Sequence, residues 1–143
     1  MFKWAHEYSK EIDLPYRMVW DFCCNPSNWP QWIEQFESCK MEGELKTGSV
    51  VNAKIKNRNF HVPILITDVV LFNSCGMLIK APLFTQTSLC ALRGVSNEKT
   101  VLIIKTSVVS IFAPFMGRFF TKRVEISNAK CVEALLESSK QYL

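Results

Sequence analysis

The sequence lacks the short motifs that mark most metal and nucleotide chemistry. It contains no GxSxG, no HExxH and no Gly-rich phosphate loop. Its six cysteines form no CxxC pair, and its two histidines are His6 and His61. We therefore predict no metal site, no cofactor and no nucleotide-binding site.

A long uncharged run is also missing. The longest uncharged stretches reach about a dozen residues, whereas a membrane-spanning helix needs about 20. The first thirteen residues carry five charges and no apolar segment of the kind that a secretory signal requires. We therefore expect a soluble protein in the cytoplasm. The six cysteines fit this compartment as buried free thiols, because a chain of this length needs no disulfide staples.

Large apolar side chains are what the sequence has in quantity. Hydrophobic residues make up 48% of the 143 residues and charged residues 21%, which excludes a disordered chain. Ten Phe and four Trp must fill a core, line a cavity, or do both. Because no internal repeat or linker is present, the length predicts one domain over residues 1–143.

Basic side chains are concentrated in the middle of the chain. Residues 46–130 hold twelve basic and three acidic side chains, whereas residues 1–45 hold four basic and eight acidic ones. The positive region suits an anionic ligand or an anionic membrane. The alternative is a solvated strand face, which the alternation of Lys54, Lys56 and Arg58 with uncharged neighbours favours.

Hydrophobic periodicity predicts the order of elements. The period of two from Phe2 to Tyr8 indicates a first strand. Pro15 then opens a helix that ends at Asn25, and a second short helix runs to about Trp32. Six more strands follow, predicted at 34–42, 49–56, 60–72, 77–84, 87–95 and 99–109, with a turn near residue 85.

A broad apolar stripe after Pro114 predicts a long closing helix. The expected fold class is α+β: a seven-stranded curved antiparallel sheet wrapped around this C-terminal helix, with two short helices between strands 1 and 2. The helix is expected in the concavity of the sheet, because its apolar stripe has no other surface to cover.

Several landmarks along the chain carry a family resemblance. They are Ile12-Asp13-Leu14-Pro15 followed by Val19-Trp20, then Asn25-Pro26, Trp29-Pro30 and Trp32, then Gly43 and Gly48, and the closing stretch 112–143. In this order they resemble the START-like superfamily, also called the polyketide cyclase/dehydrase and lipid transport superfamily. The resemblance implies a helix-grip fold with a cavity between sheet and helix. It also implies apolar ligands such as lipids, sterols, quinones or polyketides, and in some members a cyclisation or dehydration.

The leading functional hypothesis is a binding protein without catalytic residues, which holds an apolar small molecule between the sheet and the last helix. The side chains predicted to line the cavity are Trp32, Ile64, Phe84, Leu89, Phe115 and Phe119, with Thr87 and Arg93 as polar anchors. The runner-up is a polyketide cyclase or dehydratase, in which His61, Asp68 or Arg93 points into the cavity. A third hypothesis is an interaction module whose own phenylalanines fill the space.

The start of the closing helix is a candidate for membrane contact. From Phe112 to Arg123 it combines five large apolar residues with three basic ones, which suits transient docking on an anionic bilayer. The alternative is that the phenylalanines pack under the sheet while the basic side chains face water. No nucleic-acid partner is expected, because the aromatic residues fall on amphipathic elements rather than on an exposed stacking platform.

Overall fold

The order of elements follows the predicted one. The computed structural model describes residues 2–111 and 113–139, without side chains at 115–120 and 138–139. The strands in this part of the chain are β1 (Phe2–Ile12), β2 (Phe36–Met41), β3 (Val50–Ile55), β4 (His61–Val70), β5 (Ser74–Ala81), β6 (Phe84–Ser96) and β7 (Lys99–Ser110). The helices are α1 (Tyr16–Cys23), a 3₁₀ helix (Pro26–Gln31) and α2 (Ala113–Ser139).

The seven strands form one antiparallel sheet in the order β1-β7-β6-β5-β4-β3-β2. Strands β2 to β7 are a meander, in which each strand pairs with the next one in the sequence. The first strand leaves this order, since β1 pairs with β7 and sets Trp4 opposite Val108. The predicted seven-stranded antiparallel sheet with a C-terminal helix is confirmed.

Alternation along the strands separates an inner face from an outer face. On β7 the inner residues Leu102, Thr106 and Val108 are buried, whereas Lys105 between them is exposed. Helix α2 packs against β1, β7 and α1. The indole Nε1 of Trp4 donates to Thr121 Oγ1 at 3.3 Å and ties α2 to the edge strand. No helix in residues 2–111 and 113–139 is long and apolar enough to span a membrane.

Trp29 fixes the joint between α1 and the 3₁₀ helix. Its side chain has no exposed surface, and its Nε1 donates to the Cys23 carbonyl oxygen at 3.0 Å, at the end of α1. This bond satisfies a carbonyl that the helix end leaves without a partner within the helix. Asn25 Oδ1 accepts from the Ser27 backbone N–H at 3.1 Å and caps the 3₁₀ helix.

One predicted turn is displaced. The sequence places a turn near residue 85, but β5 ends at Ala81 and β6 begins at Phe84, so residues 82 and 83 make the turn. Pro82 cannot donate to a ladder, and Leu83 lies in the left-handed region with φ 61°. The hairpin closes with Ala81 opposite Phe84, and β6 therefore starts three residues earlier than predicted.

Candidate functional site

A cavity of about 400 Å³ lies between the inner face of the sheet, the 3₁₀ helix and α2. Each wall comes from a different element. The described residues that line it are Cys23, Trp29, Trp32, Ile33, Gln35, Phe36, Ile64, Met77, Ile79, Gln86, Ser88, Cys90, Ile104, Thr106, Arg123, Val124, Ser127, Asn128 and Cys131. This size falls in the range of small-molecule sites, about 300–1,000 Å³.

The lining is predominantly apolar and carries little charge. Aliphatic side chains such as Ile64, Met77 and Ile104 cover the sheet wall. Among the described lining residues there is no Asp, Glu or His, and the single cationic group is Arg123. Arg123 is exposed on α2, so its charge stays in water at the cavity border. The interior therefore suits an apolar molecule, because burying an unpaired charge there is costly.

A few polar side chains interrupt the apolar wall. On β6, Gln86 Nε2 donates to Ser88 Oγ at 3.5 Å, and Thr106 on β7 lies opposite Ser88 in the ladder. Ser127 adds a hydroxyl from α2. These groups form no acid–base pair, but they can orient a ligand by hydrogen bonding.

Two donors at the cavity have no acceptor in the part of the chain that the structure describes. Among the described residues, Trp32 Nε1 and Asn128 Nδ2 are buried side-chain nitrogens without a hydrogen-bond partner. Asn128 is only 5% exposed, and both residues line the cavity. A buried donor left without an acceptor costs about 1–3 kcal/mol. Such groups need an explanation, and an acceptor supplied by a ligand provides one.

Five of the six cysteines converge beside the cavity in what we call the thiol cluster, made of Cys23, Cys24, Cys75, Cys90 and Cys131. The cluster brings together α1, β5, β6 and α2, and Cys23 Sγ lies 4.0 Å from Cys131 Sγ. All of these thiols are free and buried.

Three members of the thiol cluster, Cys23, Cys24 and Cys90, are poor nucleophiles, whereas a hydrogen bond with Cys24 lowers the pKa of Cys75. The contact with Cys131, with burial, raises the pKa of Cys23, and hydrogen bonding to Cys75 and Cys90, with burial, raises the pKa of Cys24. The Cys90 pKa is raised as well, first by its contact with Cys23. A raised pKa lowers the thiolate fraction, and the thiolate is the reactive form. No group of His, Cys, Asp or Glu in the described part of the chain is arranged to hold a metal ion.

A histidine contact lies between β1 and α2, outside the cavity lining. His6 stacks on Trp4 with a ring separation of 6.0 Å, and its Nε2 lies 3.4 Å from Glu125 Oε1. Its Nδ1 is buried and has no partner among the described residues. By residue type, the sequence indicates His61 as the candidate for acid–base catalysis. His6 reaches the inner face through the pairing of β1 with β7.

The structure places some of the predicted lining residues at the cavity. Trp32 and Ile64 line it, from the end of the 3₁₀ helix and from β4. Phe84 is half-buried at the start of β6 and does not reach the cavity lining. Phe115 and Phe119 lie on α2, but their side chains fall outside the described residues.

The predicted polar anchors lie elsewhere. Thr87 and Leu89 border an open groove with outer-face residues such as Lys105, and Arg93 is exposed. The inward positions of β6 are the even ones, Gln86, Ser88 and Cys90. The reason is the register of β6, which puts Cys90 opposite the buried Cys75 and turns the odd-numbered residues outward.

The residues proposed for acid–base catalysis also lie outside the cavity. His61 is exposed at the edge of β4 in an open groove with Asn52 and Lys54. Asp68 is exposed beside a bulge of β4, next to Gly76 of β5. The candidate membrane segment is described only in part, since Phe112 and the side chains at 115–120 lie outside the described residues.

No family model matches this sequence, and no curated protein matches it. Solved structures are similar to it over almost their whole length. A START superfamily protein from Mycobacterium smegmatis superposes with a TM-score of 0.74 at 13% identity, covering 97% of this chain and 99% of that one. The Zhui aromatase/cyclase from a Streptomyces species gives 0.73 at 12% identity, with 98% and 95% covered.

A third similar structure is norcoclaurine synthase from Thalictrum flavum in complex with dopamine and hydroxybenzaldehyde. Its TM-score is 0.67 at 10% identity, with 95% of this chain and 88% of that one covered. Identities this low establish the fold alone. The chain has the helix-grip fold of the START-like superfamily, and the resemblance found in the sequence is confirmed at that level.

Proposed function

We propose that the protein binds an apolar small molecule of the lipid, polyketide or quinone-like class in the cavity between the sheet and α2. The observation that carries the proposal is the cavity itself. It has a volume of about 400 Å³ and a mainly apolar lining, and α2 forms one of its walls. Each Å² of apolar ligand surface removed from water contributes about 25 cal/mol, so shape and apolar contact supply most of the affinity. The few polar side chains then set the orientation of the ligand.

The choice between binding and catalysis rests on the groups that face this space. A cyclase or dehydratase needs a positioned acid or base within reach of its substrate. His61, Asp68 and Arg93, which the enzyme hypothesis relied on, are exposed and do not line the cavity. The titratable groups described in the lining are Arg123 and thiols, so no specific observation supports the catalytic hypothesis.

Compartment is a further part of the proposal. All six cysteines are free and buried. A reducing environment maintains such thiols. We therefore place the protein in the cytoplasm.

Native purification followed by organic extraction and mass spectrometry tests the proposal. We expect a co-purified apolar molecule at close to one equivalent per chain. Binding of apolar probes by the stripped protein, measured by equilibrium dialysis, provides the same test without a resident ligand. An extract without any apolar molecule, together with no probe binding, would favour an interaction module whose cavity is filled by its own side chains.

A matched pair of variants on β6 localises the binding. Ser88→Phe places a ring in the cavity, whereas Thr87→Phe places the same ring on the outer face one residue away. We expect Ser88→Phe to lose the ligand and Thr87→Phe to retain it. Overpacking costs about 1–3 kcal/mol, so thermal melts confirm that both variants fold. Equal retention by both variants contradicts a site between sheet and helix.

A further inference from the structure

The unpartnered polar atoms described at the cavity are of one kind, although hydroxyl and amide acceptors also line it. Its two unpartnered buried atoms, Trp32 Nε1 and Asn128 Nδ2, are both hydrogen-bond donors. They belong to residues on separate elements, the end of the 3₁₀ helix and the middle of α2, and both residues line the cavity. The described lining contains no carboxylate to serve as an acceptor for either of them.

A packed core would not keep these two groups. Asn128 is only 5% exposed, and its Nδ2 has no hydrogen-bond partner among the described residues. On α2, Asn128 occupies the apolar stripe between Val124 and Cys131, where an aliphatic side chain would pack without an unpaired donor. The donor lowers the stability of the empty protein, which is typical of a group kept for a ligand.

The two donors carry no charge, and this indicates that the ligand group that pairs with them is also uncharged. Both donors are neutral, and a buried carboxylate with only neutral partners would remain largely uncompensated. The cation of the lining, Arg123, is exposed and keeps its charge in water. An uncharged oxygen loses much less solvation on entering this space, and a carbonyl oxygen accepts from an amide or indole N–H in ordinary geometry.

We propose that Asn128 and Trp32 form an acceptor-reading subsite, which selects apolar ligands carrying an uncharged carbonyl oxygen over hydrocarbons of the same shape. This inference rests on the proposed function and narrows it to ketone- or quinone-like ligands. The selectivity arises because a hydrocarbon leaves the buried donors unpaired, whereas a carbonyl pairs with them.

Fluorene and fluorenone test the subsite, since they share one shape and differ by a methylene against a carbonyl. Equilibrium dialysis with extraction measures both affinities without relying on tryptophan fluorescence. We expect the wild-type protein to bind fluorenone about tenfold more tightly than fluorene. Asn128→Leu and Trp32→Phe should each reduce this preference, and the combined variant should abolish it.

A control separates lost recognition from lost packing. Ile64→Val trims the apolar wall of the same cavity and should weaken both probes equally. The thermal midpoint of Asn128→Leu should not fall, because an unpaired donor has been removed. Trp32→Phe gives an independent answer if Asn128→Leu does not fold.

The outcomes separate this inference from the proposed function. A preference for fluorenone that persists in the combined variant overturns the subsite, as does equal affinity for both probes in the wild-type protein. In both cases binding itself survives. If neither probe binds, the subsite and the proposed apolar binding function fail together. Loss of the preference in one single variant supports the subsite and identifies the residue that reads the carbonyl.

Discussion

Two tryptophans three residues apart at the 3₁₀ helix differ in burial and in hydrogen bonding. Trp29 has no exposed surface and donates to the Cys23 carbonyl oxygen, so both its ring and its N–H are satisfied within the protein. Trp32 is half-buried at the cavity, and its buried N–H has no acceptor among the described residues. Both tryptophans line the cavity, but the N–H of Trp29 is satisfied within the protein whereas that of Trp32 has no acceptor among the described residues.

The same division extends from these residues into the surrounding structure. Behind Trp29 lies the thiol cluster, whose buried sulfurs contact one another. Beside Trp32 lies a wall on which Asn128 is also unpartnered. We call these the packed side and the open side. The difference indicates that stability resides on the packed side, and that the open side keeps polar groups whose partner must come from elsewhere.

The largest expected effect comes from exchanging each tryptophan for phenylalanine. Trp29→Phe should lower the free energy of unfolding by about 2–4 kcal/mol, because it leaves a void and an unpaired carbonyl oxygen at Cys23. Trp32→Phe should change it by less than about 1 kcal/mol, since its N–H has no bond to lose. Urea unfolding at equilibrium measures both, and equal destabilisation would remove the distinction between the two sides.

Thiol reactivity distinguishes the native core from the unfolded chain. Burial raises the pKa of Cys39 to about 11, and Cys39 is only 8% exposed on β2. A pKa of about 11 instead of 9 lowers the thiolate fraction of Cys39 near pH 8 about a hundredfold. Iodoacetamide should therefore modify Cys39 in the native protein at least about a hundredfold more slowly than in urea. Peptide mass spectrometry reports the rate at each cysteine. Rapid native labelling of Cys39 would show that this part of the core opens readily.

Much of the fold follows from the sequence because it depends on local patterns. Period-two runs and turn residues predict the strands, and the apolar stripe after Pro114 predicts α2. The face of β6 does not follow in the same way. Leu89, Cys90 and Leu92 put apolar residues on both of its faces, so only pairing with β5 decides which positions point inward.

The site was harder to predict than the fold. Trp32 and Ile64 line the cavity, but the sequence does not single out Asn128, because an isolated polar residue on a helix is usually solvated. One signal was available: Asn128 interrupts the apolar stripe between Val124 and Cys131. Its burial depends on how α2 docks on the sheet, and no local pattern encodes that contact.

The stability of the folded protein should also fall at alkaline pH. An unfolded cysteine ionises near pH 8.5, whereas burial holds the native Cys39 thiol protonated to about pH 11. The native state therefore binds more protons in this window, and the stability present below about pH 8.5 is lost as the pH rises to about 11. We expect Cys39 to account for about 1 kcal/mol near pH 10, after allowance for solvent screening.

Cys39→Ala provides the control for this titration. Urea unfolding of both proteins between about pH 7 and pH 10 should show a smaller alkaline loss in the variant, because lysines and the other cysteines titrate equally in both. Identical pH profiles for the two proteins would mean that Cys39 is not shielded from water in the native state.

The smallest expected effect concerns the N-cap of the 3₁₀ helix. Asn25→Ala removes the side-chain acceptor of the Ser27 N–H at the N-terminal end of the 3₁₀ helix and should cost about 0.5–1 kcal/mol. Trp32 is held at the other end by its own backbone bond to Trp29 O, at 3.1 Å, so fluorenone binding should change less than twofold. If fluorenone binding falls by more than twofold, the cap also positions Trp32 at the cavity. The two sides of the 3₁₀ helix are then coupled.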